Sequence, residues 1–338
     1  MQRTRPAVAI IGAGLMGRWH AHAAARLGAR VVAVVDTNDT RAAALAARHG
    51  ARALRDLTEL SNGAPRPDIA HVCTPAASHT PLALALLDGG MHVVCEKPLA
   101  ANADEVSAML AHARRAGRRV CAVHQFAFQH GVAVAKRRLG ELGQLRRAVF
   151  TFSSAGGEGH PGSSLDNIVG EIVPHPLSVL AALWPEASLD GVAWSTCSSS
   201  PGEWLVTGAH GDALVSIAIS LGARPTEASA AFAGTNATIR LDFFHGFALV
   251  HRGSASRVDK LARPFIHALT LLSAASANGV RRMLRWEPAY PGLRSLLRHF
   301  YAQVDGAASA QPQEDAALIA LYRARDRLAE AMSPPSAS

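Results

Sequence analysis

AVAIIGAGLMGRWHAHAAARLGARVVAVVD, residues 7–36, decides the fold. Its first six residues form a continuous apolar run, the pattern of a strand buried on both faces. Gly12-Ala13-Gly14-Leu15-Met16-Gly17 follows at once, and residues 16–28 read as an alanine-rich helix. A G-x-G-x-x-G run carries weight only in such a strand-to-helix setting. Gly12 permits the tight turn, Gly14 lets a pyrophosphate approach the backbone, and Gly17 lets the helix lie close to the strand. The free N–H groups of the first helical turn, around Leu15 and Met16, then face the anion. Asp36 closes the next apolar run, VVAVVD, where a carboxylate can accept from both ribose hydroxyls of an adenosine. A 2′-phosphate would be repelled there, so NAD is expected over NADP, with NADP kept open because Arg41 can offset the preference.

The same alternation continues outward. IAHVCT (69–74), HVVCEK (92–97) and RVCAVH (119–124) read as further strands, with helices at 39–49, 79–90 and 102–117 between them. Such β-helix-β units imply a doubly wound parallel sheet with right-handed crossovers, a Rossmann domain over residues 1–125. From about residue 146, strands follow one another without long helices: RRAVFTFSS, GVAWSTCSS, WLVTGAHG, ALVSIAISLG, EASAAFAG, ATIRLDFF and GFALVHRG. They predict an α+β domain over 126–332 with a large, open, mostly antiparallel sheet. One helix is expected at 165–184, and three more at 258–285, 291–305 and 313–332. The tail SPPSAS, 333–338, is expected to be disordered.

Composition sets outer limits. The chain has 338 residues, 49% apolar and 18% charged, which is globular composition with room for two domains. Cys73, Cys95, Cys121 and Cys197 stand apart without a CxxC pair, so neither a disulfide framework nor a thiolate zinc site is indicated, and a reducing cytoplasm fits. No secretory cleavage pattern follows the basic and apolar start. The histidine pairs His20/His22 and His245/His251 lack a third ligand at sensible spacing, so no metal is assigned. The net charge of +8 is concentrated: residues 251–300 hold nine basic residues against Asp259 and Glu287. That localisation argues against a general nucleic-acid binder. Residues 264–280 carry no formal charge but contain His267, Asn278 and serines, too short and too polar for a bilayer span of about 20 apolar residues. They predict an amphipathic helix with Arg281, Arg282 and Arg285 at its C-terminal end.

Cys73-Thr74-Pro75 and Glu96-Lys97-Pro98 both fall at the carboxyl ends of strands, the edge where open parallel sheets bind ligands. A lysine ammonium there can stabilise a developing alkoxide; read alone, Lys97 is equally a solvated strand-end charge. It does not stand alone. The order GAGLMG, Asp36, CTPAASH and GGMHVVCEKPLA resembles the glucose-fructose oxidoreductase, inositol dehydrogenase and MocA (Gfo/Idh/MocA) family, closely over residues 7–125 and more loosely beyond. The resemblance implies an NAD(P)-dependent oxidoreductase in which Lys97 assists catalysis. It also implies that Pro98 is commonly cis and that Thr74, Pro75, His79, Glu96 and Lys97 line the cofactor.

The family's second motif reads approximately D-x-G-x-H-x-x-D, with its histidine as acid/base. Here Glu171 takes the first acidic position, His175 the histidine and Ser178 the second acid. Glu171 and His175 would share a face of a regular helix, which Pro174 and Pro176 put in question; His175 is otherwise an ordinary packed histidine. An arginine that the family often presents after the last Rossmann strand is missing from HQFAFQH, residues 124–130. His124, Gln125 and Phe128 are the candidate substrate contacts there, with strand-end packing as the alternative. The reading is hydride transfer between a nicotinamide and a secondary alcohol or ketone of a sugar-like, small-molecule substrate. The basic segment suggests that this substrate is anionic, phosphate- or nucleotide-bearing. The alternatives are a non-catalytic NAD-binding sensor or assembly protein, and an imine reductase on the same scaffold. A homodimer or homotetramer is expected.

Overall fold

The computed structural model describes residues 5–60, 63, 65–185, 189–253, 257–306 and 311–332. The tail 333–338 therefore lies outside the described residues. The chain divides into two compact units: Met1–His124 with Leu293–Ile319, and Gln125–Gly292 with Ala320–Ser338.

In the first unit, β1 (Ala7–Ile11), β2 (Arg30–Val35), β3 (Arg52–Leu54), β4 (Ile69–Val72), β5 (His92–Cys95) and β6 (Val120–Ala122) form one parallel sheet. Its order is β3-β2-β1-β4-β5-β6, the doubly wound order with its reversal beside β1. Every residue of β1 and β4 is buried, as their unbroken apolar runs require. The crossovers are α1 (Leu15–Arg26), α2 (Asp39–His49), α3 (His79–Asp88) and α4 (Ala103–Arg115). Asn38 and Asn102 cap α2 and α4 by accepting from the Arg41 and Glu105 N–H groups. The strand β3, only three residues long with Arg52 at its start, escaped the apolar-run reading.

In the second unit, β7 (Leu145–Ser153) is central. With β8 (Ala193–Ser200), β9 (Glu203–His210), β10 (Ala213–Ser220), β11 (Glu227–Gly234), β12 (Ala237–Asp242) and β13 (Phe247–Arg252), it forms a sheet ordered β13-β12-β11-β7-β10-β9-β8. Only the β7–β10 pairing is parallel. One face is covered, so burial alternates along β10: Val215, Ile217 and Ile219 are buried while Leu214 is exposed.

Three elements differ from the sequence reading. The helix expected at 165–184 is two: α6 (Gly162–Ile172) and α7 (Pro174–Leu183), meeting at Val173. Pro174 lacks the N–H that a continuous helix needs, but that loss is harmless at a first helical position. A 3-10 turn, Gln125–Phe128, and α5 (His130–Arg137) follow β6 where only a strand end was expected. The long α8 (Arg257–Arg285) matches its prediction, with Pro264 inside it. Of the closing helices, α9 (Leu293–Val304) groups with the first unit, and α10 (Gln311–Met332) begins there and ends in the second. The stripe Leu293, Leu296, Leu297, Phe300 and Tyr301 of α9 is buried, and α9 packs on α1. Periodicity announces such a stripe but does not say which body it covers. Among the described residues, no helix is long and apolar enough to cross a membrane.

Candidate functional site

The first unit carries the nucleotide-binding features. The Gly12 backbone sits at φ +96°, in the region only glycine occupies freely, and a Cβ there would lie 2.7 Å from the Cys73 carbonyl oxygen. At Gly17 a Cβ would lie 1.8 Å from the Gly12 carbonyl oxygen. Gly14, by contrast, faces open space within 4 Å. It is the N-cap of α1, with no side-chain cap and no acidic residue in the first turn. The helix therefore presents its first N–H groups and positive dipole end to an anion, beside a position where no side chain intrudes. Leu15 is exposed and Met16 half-buried at this turn.

Asp36 is held from two sides. Oδ2 accepts from the Ala13 N–H at 2.6 Å and Oδ1 from the Asn38 N–H at 2.8 Å. The carboxylate is fixed against the glycine turn with acceptor lone pairs left on both oxygens. These features fit a dinucleotide: an uncapped helix start for the pyrophosphate and an oriented carboxylate for the ribose.

At the carboxyl end of β5, the Lys97-Pro98 bond is cis. Thr74 and Lys97 are half-buried, Pro75 is exposed, and Glu96 and His79 are buried. His79 lies with Nδ1 2.7 Å from the Pro98 carbonyl oxygen and Nε2 2.8 Å from that of Thr74. It thus ties the two motif ends together instead of presenting its ring to a ligand. Glu96 has a similar supporting place. Oε2 accepts from the Lys97 N–H at 3.2 Å, and Oε1 meets His20 Nε2 at 2.9 Å.

From Glu96 a buried chain runs through the unit. His20 Nδ1 is 3.0 Å from His71 Nδ1, and His71 Nε2 is 3.0 Å from the Tyr301 hydroxyl. With Glu96 ionised, the tautomers follow in order. His20 donates from Nε2 to Glu96, His71 donates from Nδ1 to His20, and Tyr301 donates to His71 Nε2. Both imidazoles are then neutral and every atom named is paired. Burial and the neighbouring His20 hold His71 well below the ordinary imidazole range. Although burial opposes it, the His20 and Lys97 contacts pull Glu96 below the usual carboxylate range. Tyr301 is pushed up by burial.

This chain predicts acid sensitivity. Below about pH 6.5 the unfolded chain protonates its residue 71 imidazole while the folded chain does not, so stability should fall with pH by up to about 1.4 kcal/mol per unit. Below about 4.5, protonation of Glu96 in the unfolded chain adds to the loss. Denaturant titrations at pH 7.5 and 5.5 should give a smaller loss for His71→Gln than for the native protein. Some slope remains because His92 is also pushed down, to about 4. Equal losses would show that His71 is not the group responsible.

The second unit carries His175, at the start of α7. Its ring stacks on Phe126, with centroids 4.3 Å apart and planes 20° from parallel. Phe126 in turn lies 5.2 Å from Phe243, with Phe152 beyond. Ser178, at the family's second acidic position, is buried and donates its hydroxyl to the His175 carbonyl at 2.7 Å. Glu171 is exposed near the end of α6, on the other side of the break at Val173. Val173 itself keeps helical angles, φ −47° and ψ −40°. His124 and Gln125 are buried on either side of the division between the units, and Phe128 is half-buried. Arg281 and Arg282 are engaged locally. Arg282 donates to the Pro288 and Glu287 carbonyls at 2.7 and 3.1 Å, while Arg281 donates to Asn278 and lies 3.7 Å from Glu287. No metal-holding cluster occurs among the described residues.

Sequence reading missed three things: the Ala13–Asp36 bond, the His20–His71–Tyr301 chain, and the Phe126 platform. The first two join residues 23, 51 and 230 positions apart, which no local pattern signals.

The glycine turn, the fixed acid and the sheet order define an NAD-binding Rossmann domain. Residues 7–124 match the family described as "Oxidoreductase family, NAD-binding Rossmann fold". It is 35% identical over 136 residues to D-glucoside 3-dehydrogenase of Escherichia coli, covering 40% of this chain and 38% of that protein. It is 38% identical over 117 residues to inositol 2-dehydrogenase 1 of Saccharopolyspora erythraea, covering 33% and 34%. These matches span little more than a third of either relative. An NAD-binding oxidoreductase from Klebsiella pneumoniae shares the fold at TM-score 0.73 and 19% identity, covering 97% of this chain and 96% of that one. A levoglucosan dehydrogenase solved with NADH and levoglucosan does so at 0.74 and 18%, covering 98% of both.

Proposed function

We propose that the protein is an NAD-dependent dehydrogenase or reductase acting on a secondary alcohol or ketone of a sugar-like substrate. The observation that carries this is the placement of Lys97 at the carboxyl edge of the same sheet whose glycine turn and Asp36 fit the dinucleotide. The relatives named dehydrogenases of inositol and of a glucoside support the substrate class. When bound, the nicotinamide supplies a hydride acceptor or donor.

The chain's own residues would do the rest. Asp36 accepts from the ribose hydroxyls, and the first turn of α1 receives the pyrophosphate. The Lys97 ammonium at Nζ donates to the reacting oxygen and stabilises it as it becomes alkoxide-like. The His175 imidazole takes the hydroxyl proton during oxidation and returns it during reduction. Its stack on Phe126 fixes the ring plane. Glu96 and His79 position the Lys97 segment. Glu171, exposed and four residues before His175, orients that ring or contacts a substrate hydroxyl. The arginines at 281 and 282 are already engaged, which weakens the case for a phosphate-bearing substrate and favours a neutral sugar or polyol.

The test is direct. Purified protein is denatured to quantify released nucleotide, titrated with NADH and NADPH, and assayed with NAD against a panel of polyols and aldoses. Tight NADH binding with turnover of a secondary alcohol is expected. Binding of neither nucleotide would overturn the reading. Asp36→Ala should weaken NADH binding by roughly 10- to 100-fold, the worth of charge-assisted hydrogen bonds, and narrow the preference over NADPH. An unchanged NADH/NADPH ratio would remove Asp36 from that role.

A further inference from the structure

Helix α8 is packed with its polar side inward. His267, Thr270, Asn278, Arg281 and Arg282 are among its buried or half-buried positions. The His267 ring lies 3.9 Å from that of His251 on β13, and Asn278 donates to the His245 carbonyl at 2.7 Å. The other side leaves Leu261, Phe265, Leu269, Leu272 and Met283 each 65–78% exposed. A helix that turns leucines to water and polar groups to its own sheet has an apolar face without a partner inside the chain.

We propose that this face pairs with the same face of a second copy of the chain, α8 against α8, antiparallel about a two-fold axis near Ala274. The spacing identifies the occupant. Phe265, Leu269, Leu272, Ser276, Gly279 and Met283 are separated alternately by four and three residues, the seam of a pairing helix. About that axis, Leu272 of one copy meets Ser276 of the other, Leu269 meets Gly279, and Phe265 meets Met283. Large faces small in the two central layers, so the helices can approach closely, and the contact is self-complementary as a two-fold interface requires. A Cβ at Gly279 would meet nothing within 4 Å in its own chain, so the gap there is available to an incoming side chain. Beside it lies a cavity of about 770 Å³ lined by Phe247, Gly279, Met283 and Trp286, a receptor for Phe265 of the second copy.

Size and charge agree. At about 1.5–3 kcal/mol per large apolar side chain and about 25 cal/mol per Å², the five exposed stripe side chains offer roughly 300–600 Å² per copy, the apolar core of a standard patch of ~800 Å² per partner. Lys260, Arg263 and Arg285 project from the side of the helix away from the stripe. Two copies therefore do not oppose like charges at the seam. The self-complementary large-to-small layers favour a second copy as the occupant.

The test uses the full chain in sedimentation equilibrium, with far-UV circular dichroism and NADH fluorescence as controls. Leu269→Glu and Gly279→Leu should each halve the native mass while leaving both controls unchanged. Leu269→Ala combined with Gly279→Leu, which exchanges large and small within one layer, should restore it. A monomeric native protein, or variants of undiminished mass, would overturn the proposal. So would flotation of the native protein with phosphatidylserine vesicles that Leu269→Glu abolishes without altering mass, which would assign the face to a membrane.

Discussion

Gly17→Ala is expected to lose more than 100-fold in NADH affinity and to melt about 5–10 °C lower than the native protein. The methyl group would sit 1.8 Å from the Gly12 carbonyl oxygen and 3.0 Å from its carbon. Both atoms belong to the turn itself, so no flexible side chain can move aside, and the start of α1 must lift from β1. Overpacking of this kind costs about 1–3 kcal/mol, which for a domain of this size corresponds to several degrees. The lifted helix also carries its N–H groups away from the position fixed by Gly12 and Asp36. Gly14→Ala separates the two effects. Its Cβ would meet nothing within 4 Å, so melting should stay near the native value while nucleotide affinity falls, because the methyl enters the space assigned to the pyrophosphate. Isothermal titration with NADH and a thermal melt of each variant decide the matter. Native affinity in Gly17→Ala would mean that the turn is not the nucleotide cradle.

How far the sequence spoke for this structure differs between the units for a physical reason. A parallel sheet buried on both faces writes itself as largely apolar runs, and five of the six strands of the first unit were legible from such runs before their motifs were considered. RVCAVH overstated β6, and Arg-Ala-Leu at β3 fell below any pattern threshold. In the second unit, alternation located all seven strands but not their neighbours: that β10 pairs in parallel with β7 depends on long-range closure. The interruption at Val173 was legible from Pro174 and Pro176, whereas the exposure of Glu171 was not. Least legible of all was the support beneath Lys97. His20 was legible only as one half of an incomplete metal pair, and Tyr301 carried no signal beyond its place in a closing helix. Both instead belong to the hydrogen-bonded chain that ends on Glu96.

That chain gives the Lys97 segment its rigidity, and it shapes the second large effect. Lys97→Ala should reduce turnover by about 10²–10³-fold, the range for removing one donor aimed at a developing oxyanion, while NADH affinity changes little. Tyr301→Phe tests the support instead of the donor. It leaves His71 Nε2 without its hydroxyl partner in a buried setting, at a cost of about 1–3 kcal/mol, yet removes no group from the reacting edge. Its expected signature is lower stability with nearly native turnover per folded molecule. His175→Ala should lower turnover by about 10²–10⁴-fold and abolish the pH dependence of the alcohol oxidation that its imidazole imposes. Because Lys97 and His175 are assigned to the same oxygen and its proton, the double variant should be little worse than the poorer single one. Multiplicative losses in the double variant would place the two residues in separate steps and break the assignment. Native turnover in both single variants would reject these two groups and assign the oxyanion and proton roles to other residues.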